Sequence, residues 1–226
     1  MKKLIVLTGA GMSAESGLKT FRDADGLWEG HDVMKVASPE GFADDPELVY
    51  EFYNQRRKQL KKAKPNAAHE ALATLEKHFD MHIITQNVDD LHEKAGSKNV
   101  LHLHGQLNEV RPIDKSNDIQ HWTEDLNQGD VDQRGIQLRP NVVWFGEAVP
   151  NIEPAAKLVS NAELLLIIGT SMQVYPAAGL VDFAPNNCSI YLIDPKPVTY
   201  YSVRAIHHIE KVATLGMGEF MELVGK

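Results

Sequence analysis

Several short stretches carry residue types that can do chemistry on a nucleotide. GAGMSAES (9–16) sets Gly9 and Gly11 ahead of a helical pattern. Glycines there let the backbone approach a pyrophosphate, and the free N–H groups of a helix start attract an anion. An ordinary strand-to-helix turn uses the same residues. QNVDD (86–90) offers two amides and two carboxylates in a row. Such groups hold a carboxamide or ribose hydroxyls, and Asn87 or Asp89 can equally cap a helix. HLHG (102–105) sets His104 before a glycine. An imidazole titrates near working pH, so His104 is a candidate general base, whereas His102 is expected to be structural.

One cation stands out. DPELVYEFYNQRRKQLKKA (45–63) reads as a helix capped by Asp45, with Pro46 in its first turn and basic residues at its end. On a 3.6-residue wheel Val49, Phe52, Tyr53, Arg56 and Leu60 share one stripe. Arg56 therefore points where the apolar residues point, and no acid lies three or four residues away. A buried guanidinium needs a counter-charge. It pairs with a distant Asp or Glu of the chain, or it receives an anion from outside.

The elements that must position these groups alternate. LIVL (4–7), HIIT (82–85), VVWF (142–145), LLLII (164–168) and IYLI (190–193) read as buried strands, nearly all apolar as parallel strands tend to be. Helical patterns fill 67–79, 153–161 and 176–184. The expected fold is α/β, a Rossmann-type doubly wound parallel sheet with a smaller second lobe. Four strands run into TGAG, QNVDD, GTS and DPKP. Ligands of open α/β sheets sit at such carboxyl ends. One domain is expected over 1–226. Its Rossmann-like part is placed at about 1–18, 66–105 and 140–226. The lobe is placed in insertions at about 19–65, with no convincing strand, and 106–139, with weak periodicity. RPNVVWFGE (139–147) is either a core strand or an edge that pairs with an extended peptide.

Composition is that of a globule with a net charge of −8, which argues against a nucleic-acid surface. One cysteine, Cys188, excludes a disulfide framework and fits a cytoplasmic protein. The opening apolar run is too short for a signal peptide, and no stretch is long enough to span a membrane.

Together the motifs resemble those of the sirtuins, the NAD-dependent protein deacylases. GAGMSAESGLKTFR, TQNVDDLH, HLHG, RPNVVWFGE and GTSMQVYPAA follow in the family's order across nearly the whole chain. The resemblance implies NAD as co-substrate, bound between a Rossmann-type domain and a smaller lobe. It assigns His104 as general base, with Asn87 and Asp89 organising the nicotinamide and its ribose. Gly9, Ala10, Gly11, Ser13, Glu15 and Gly17 would line the cofactor. Gly169, Thr170, Ser171, Asp194, Pro195, Lys196 and Ala213 would do so from later loops. Gln86, Val88 and Trp28 would complete the site, and Phe21 and Arg22 would close over it. Val143, Phe145, Gly146, Glu147 and Val174 would bind substrate, with 142–147 pairing as a strand to its backbone. Products would be free lysine, nicotinamide and O-acyl-ADP-ribose.

The segment VASPEGFADDPELVYEFYNQRR also resembles the bacterial-type branch that removes succinyl and malonyl groups. Ala37, Tyr53 and Arg56 stand at its matching places. The expected substrates are acylated-lysine proteins, including acetylated ones, and the chain is expected to be a monomer. Residues 106–139 lack the four zinc cysteines usual in the family, and Pro112 stands about where the first is expected. No metal is expected, and the lobe would pack around Trp122, Leu126 and Ile136. Lys19 replaces the usual proline. Asp194 replaces the usual asparagine, which favours NAD over NADP. Two other functions fit parts of the pattern: a zinc-free NAD glycohydrolase, and a non-catalytic sensor of NAD or acyl-lysine.

Overall fold

The computed structural model describes residues 1–19, 27–28, 30–114, 116–197 and 205–226. The chain opens with β1 (Lys3–Thr8). A hairpin of β2 (Leu27–Trp28) and β3 (His31–Asp32) leads to α1 (Val33–Val36), α2 (Pro39–Asp44) and α3 (Pro46–Lys62). Next come α4 (Ala67–Leu75), β4 (Asp80–Thr85), α5 (Leu91–Lys94) and β5 (Val100–His102). They are followed by β6 (Gly105–Pro112), β7 (Gln120–His121) and β8 (Leu138–Val142). The chain then runs through α6 (Ile152–Val159), β9 (Leu164–Ile168), β10 (Ser189–Ile193), β11 (Ile206–Ile209) and α7 (Ala213–Leu223).

Among the described residues, six strands form one parallel sheet in the order β11-β10-β9-β1-β4-β5. Its strands are apolar because both faces are covered. One face packs Leu4, Val6, Ile83 and Leu166 against Leu72 of α4 and Phe220 of α7. The other packs Ile5, Leu7, Leu165 and Ile167 against Val159 of α6 and Leu180. The strand order reverses around β1, so the loops after β1 and β9 leave side by side. That is where an open α/β sheet receives a ligand.

The two loops touch backbone to backbone. Gly9 N donates to Ile168 O at 3.0 Å, and Gly11 N donates to Gly169 O at 2.9 Å. A Cβ at Gly11 would stand 2.6 Å from Gly169 Cα, and one at Gly169 would stand 2.4 Å from Met12 N. Gly169 also has φ +61°. These glycines let the two loops close on each other.

A second, antiparallel sheet has the order β7-β6-β8. The structure departs from the sequence expectation in several places. VVWF is not a strand of the parallel sheet: β8 ends at Val142 and pairs antiparallel with β6. The polar, weakly periodic 106–139 stretch carries most of β6 and all of β7. The 19–65 stretch includes the β2–β3 hairpin. Residues 177–183 form a 3₁₀ helix, and the helical pattern at 67–79 stops as a helix at Leu75.

α3 joins this sheet to the cleft. Asp45 caps it by accepting from Leu48 N at 3.0 Å. One face buries Val49, Phe52, Tyr53, Arg56 and Leu60. A neighbouring face, unmarked in the sequence, buries Tyr50, Asn54 and Arg57. Tyr50 Oη donates to Leu138 O at 2.7 Å. Asn54 donates to Leu126 O at 3.0 Å and accepts from Leu126 N at 2.9 Å. Arg57 Nε donates to Leu107 O at 2.8 Å, and burial lowers its pKa to about 10. The lobe's apolar cluster is Tyr50, Val110, Leu126 and Leu138, with Phe42 and Trp122 against it. Ile136 is not in it; its backbone N instead donates to Asp132.

Replacing Gly11 with Ala forces these loops apart. Overpacking of this kind costs about 1–3 kcal/mol. Urea unfolding is expected to show that loss, and calorimetry is expected to show weakened NAD binding.

Candidate functional site

A cleft of about 490 Å³ opens at the carboxyl ends of β1, β4, β9 and β10 and extends to α3 and the turn after β8. His104, Asn87 and Asp89 line it, as do the residues expected on the cofactor side and on the substrate side. Among the described residues, one expected residue does not. Phe21 and Arg22 lie outside the described residues. Gly17 is absent from the lining; with φ +84° it caps the 3₁₀ helix Ala14–Ser16, a position that favours glycine.

The floor is a polar chain. Asn87 Nδ2 donates to Ser13 Oγ at 3.2 Å, and Ser13 Oγ donates to Asp89 Oδ2 at 2.9 Å. Leu91 N donates to Asp89 Oδ1 at 3.1 Å. Asp89 is thus spent holding Ser13 and starting α5. Burial pushes its carboxyl above the usual range, against these two donors. Below it, Thr8 Oγ1 donates to Thr85 Oγ1 at 2.8 Å and meets His92 Nε2 at 3.1 Å. The His92 ring lies beside that of His69, tilted by 58°, with centroids 4.9 Å apart. Burial depresses both, His69 to about 4 and His92 to about 3.

His104 Nδ1 lies 3.0 Å from Gln86 O. A carbonyl only accepts, so Nδ1 carries the proton and Nε2 keeps its lone pair toward the cleft. Burial lowers the His104 pKa, against the Gln86 carbonyl, so the ring is neutral at pH 7. His102 is the structural one: Nδ1 meets Asn87 O at 3.1 Å and Nε2 meets Glu93 Oε1 at 2.8 Å. Burial would lower His102, but the Glu93 carboxylate outweighs it and raises the ring.

The substrate side differs from expectation. Residues 143–147 form a turn, not a strand. Val143 N donates to His104 O at 2.9 Å, and Phe145 N donates to Ala37 O at 2.9 Å. Those donors are unavailable to a peptide. Glu147 holds the turn: it accepts from Arg139 Nη1 at 2.7 Å, Arg111 Nη2 at 3.3 Å and Trp144 N at 2.9 Å. Arg139 also lies 3.3 Å from the Trp144 ring centroid. Glu15 is similarly engaged, accepting from Thr214 N at 3.0 Å and Thr214 Oγ1 at 2.6 Å and so tying the first loop to α7.

Tyr53 and Arg56 reach the cleft from α3, with Ala37 beside them. Tyr53 Oη accepts from Trp144 Nε1 at 2.9 Å. The phenolic proton remains to be donated. Burial raises its pKa, so it stays protonated. Arg56 Nε donates to Gln59 Oε1 at 3.3 Å, Nη2 donates to Gln55 Oε1 at 3.4 Å, and Cζ lies 4.3 Å from the Phe52 ring centroid. Trp144 and Gln59 also line the cleft. The sequence reading missed both, although Gln59 stands one helical turn beyond Arg56.

The Sir2 family model matches residues 9–176. The chain belongs to the Sir2 family. An NAD-dependent protein deacylase of Helicobacter pylori is 56% identical over 221 residues, 98% of this chain and 96% of that one. A solved Sir2 homologue in complex with ADP-ribose superposes with a TM-score of 0.90 and 39% identity, covering 99% of this chain and 92% of that one. Sir2Tm bound to a propionylated peptide superposes with a TM-score of 0.80 and 28% identity, covering 98% and 93%. In this Sir2 protein the cleft lies between the parallel sheet and the smaller lobe. The lobe's loops are tied by charge. Arg134 pairs with Asp132 at 2.7 Å and Asp114 at 3.0 Å, and Asp114 stands two residues past Pro112.

Two pH dependences follow. The unfolded chain protonates His69 and His92 below about pH 6.5, while the folded chain resists until far lower. Stability should therefore fall as pH drops from 6.5 toward 4, with an uptake of up to about two protons on unfolding. Calorimetric melting across that range measures it. The acidic limb of kcat/KM should lie below pH 6.5, because His104 is depressed, and His104→Ala should abolish turnover.

Proposed function

We propose that this NAD-dependent protein deacylase prefers lysines carrying a succinyl or malonyl group, with acetyl-lysine a slower substrate. The observation that carries the reading is the trio of Ala37, Tyr53 and Arg56 on one wall of the cleft. A guanidinium and a phenolic donor suit a carboxylate at the end of the acyl chain. The small Ala37 leaves space for that chain.

The residues present also suit NAD. The glycine loops 9–11 and 169–171 offer backbone at the edge of the cleft, and Asn87 offers an amide on its floor. Bound NAD supplies the ADP-ribose that accepts the acyl group. His104 Nε2 is the base in reach of the cleft, oriented by Gln86. The Asn87–Ser13–Asp89 chain holds the amide in one orientation. The turn at 143–147 shapes the substrate side of the cleft. The dry walls formed by Val142, Val143 and Leu107 exclude water from the acyl chain.

Matched succinyl- and acetyl-lysine peptides with NAD, followed by mass spectrometry, test the reading. Wild-type protein should act faster on the succinyl peptide. Arg56→Met should lower the succinyl-to-acetyl ratio of kcat/KM by roughly 10- to 100-fold, the worth of a charged hydrogen-bonded contact. Equal rates on the two peptides with wild-type protein would sink the acidic preference. Nicotinamide release that needs no peptide would point to hydrolysis of NAD instead.

A further inference from the structure

We propose that Gln59 is a specificity-determining residue: its side-chain amide fixes the Arg56 guanidinium and adds a donor for the distal carboxylate of the acyl group. This rests on the acidic-acyl reading above.

Gln59 follows Arg56 by three residues on α3, so the two side chains are neighbours on one face. Arg56 Nε lies 3.3 Å from Gln59 Oε1. A guanidinium has no acceptor, so the amide must present oxygen to it. Its two N–H bonds are thereby directed elsewhere, and Gln59 lines the same cleft as Arg56, Tyr53 and Ala37. Gln55 accepts from Nη2 at 3.4 Å, and is itself held by donating to Glu51 at 3.1 Å. Phe52 supports the guanidinium face at 4.3 Å. These contacts help to define the plane of a cation with large rotamer freedom. Fixing that plane before substrate arrives removes an ordering cost from binding.

The chemistry of the two flanking groups matters. The two amide oxygens orient Arg56 without placing a carboxylate at position 55 or 59. A carboxylate at 59 would draw the guanidinium into an ion pair and repel the acidic acyl group. A side chain without an acceptor would release Nε and lose the extra donor.

The test uses full-length protein with saturating NAD and succinyl- and acetyl-lysine peptides, separating kcat from KM for wild type, Gln59→Glu and Gln59→Met. Position 59 is exposed on the helix surface, and thermal melting checks that both variants fold. Gln59→Glu should raise KM for the succinyl peptide and lower the succinyl-to-acetyl ratio by at least about tenfold. Gln59→Met should lower the ratio by less, and mostly through KM. If wild type prefers the succinyl peptide and both variants keep that preference, Gln59 has no such role while the acidic-acyl reading stands. If wild type shows no preference, that reading fails and this inference falls with it.

Discussion

The site depends on one close approach. The loop after β1 lies on the loop after β9 at backbone contact, through Gly9 N to Ile168 O and Gly11 N to Gly169 O. No side chain fits between them. That contact sets where the cofactor side of the cleft lies, and it couples the edges of two neighbouring parallel strands. The neighbouring loop after β4 is locked to it by the Asn87–Ser13–Asp89 chain. Glu15 then ties the first loop to the start of α7. A parallel sheet delivers these loops to one edge without further instruction, because every strand points the same way.

The substrate side is organised by α3. The helix presents two buried faces to two different environments. Tyr53 and Arg56 meet the cleft, while Tyr50, Asn54 and Arg57 bind backbone carbonyls and an amide of the small lobe. Pocket and lobe therefore share one rigid element. The lobe's loops are closed by the ion pairs of Arg134 with Asp132 and Asp114. Burial would raise Asp132, but the Ile136 N–H and Arg134 outweigh it and hold the carboxyl below its usual range. That contribution is present at neutral pH and disappears as pH falls through the lowered value. Among the described residues, no cluster of three or more His, Cys, Asp or Glu is arranged to hold a metal.

Charge is used differently at the two arginine sites around the cleft. Arg139 and Arg111 are committed to Glu147 and stiffen the 143–147 turn. Arg56 is oriented by two neutral amides. The first arrangement neutralises charge to hold shape; the second holds a guanidinium through amide oxygens.

The sequence by itself determined the α/β class, the strands LIVL, LLLII and IYLI, the capped helix at 46–62 and the set of loops that meet at the cleft. Those are local signals: apolar runs of strand length, a cap with proline behind it, and glycines at strand ends. Only the tertiary structure decided the rest. VVWF has strand composition, yet Val143 N and Phe145 N are taken by His104 O and Ala37 O, so the chain turns. Glu147 and Glu15 line the cleft as the sequence suggests, but their partners Arg139 and Thr214 are visible only in the structure. Arg57, on which the sequence pattern is silent, is buried against Leu107 O. In each case the partner lies far along the chain or across a sheet. A periodicity carries the direction of a side chain, but the identity of the atom it meets is fixed only when distant segments pack together.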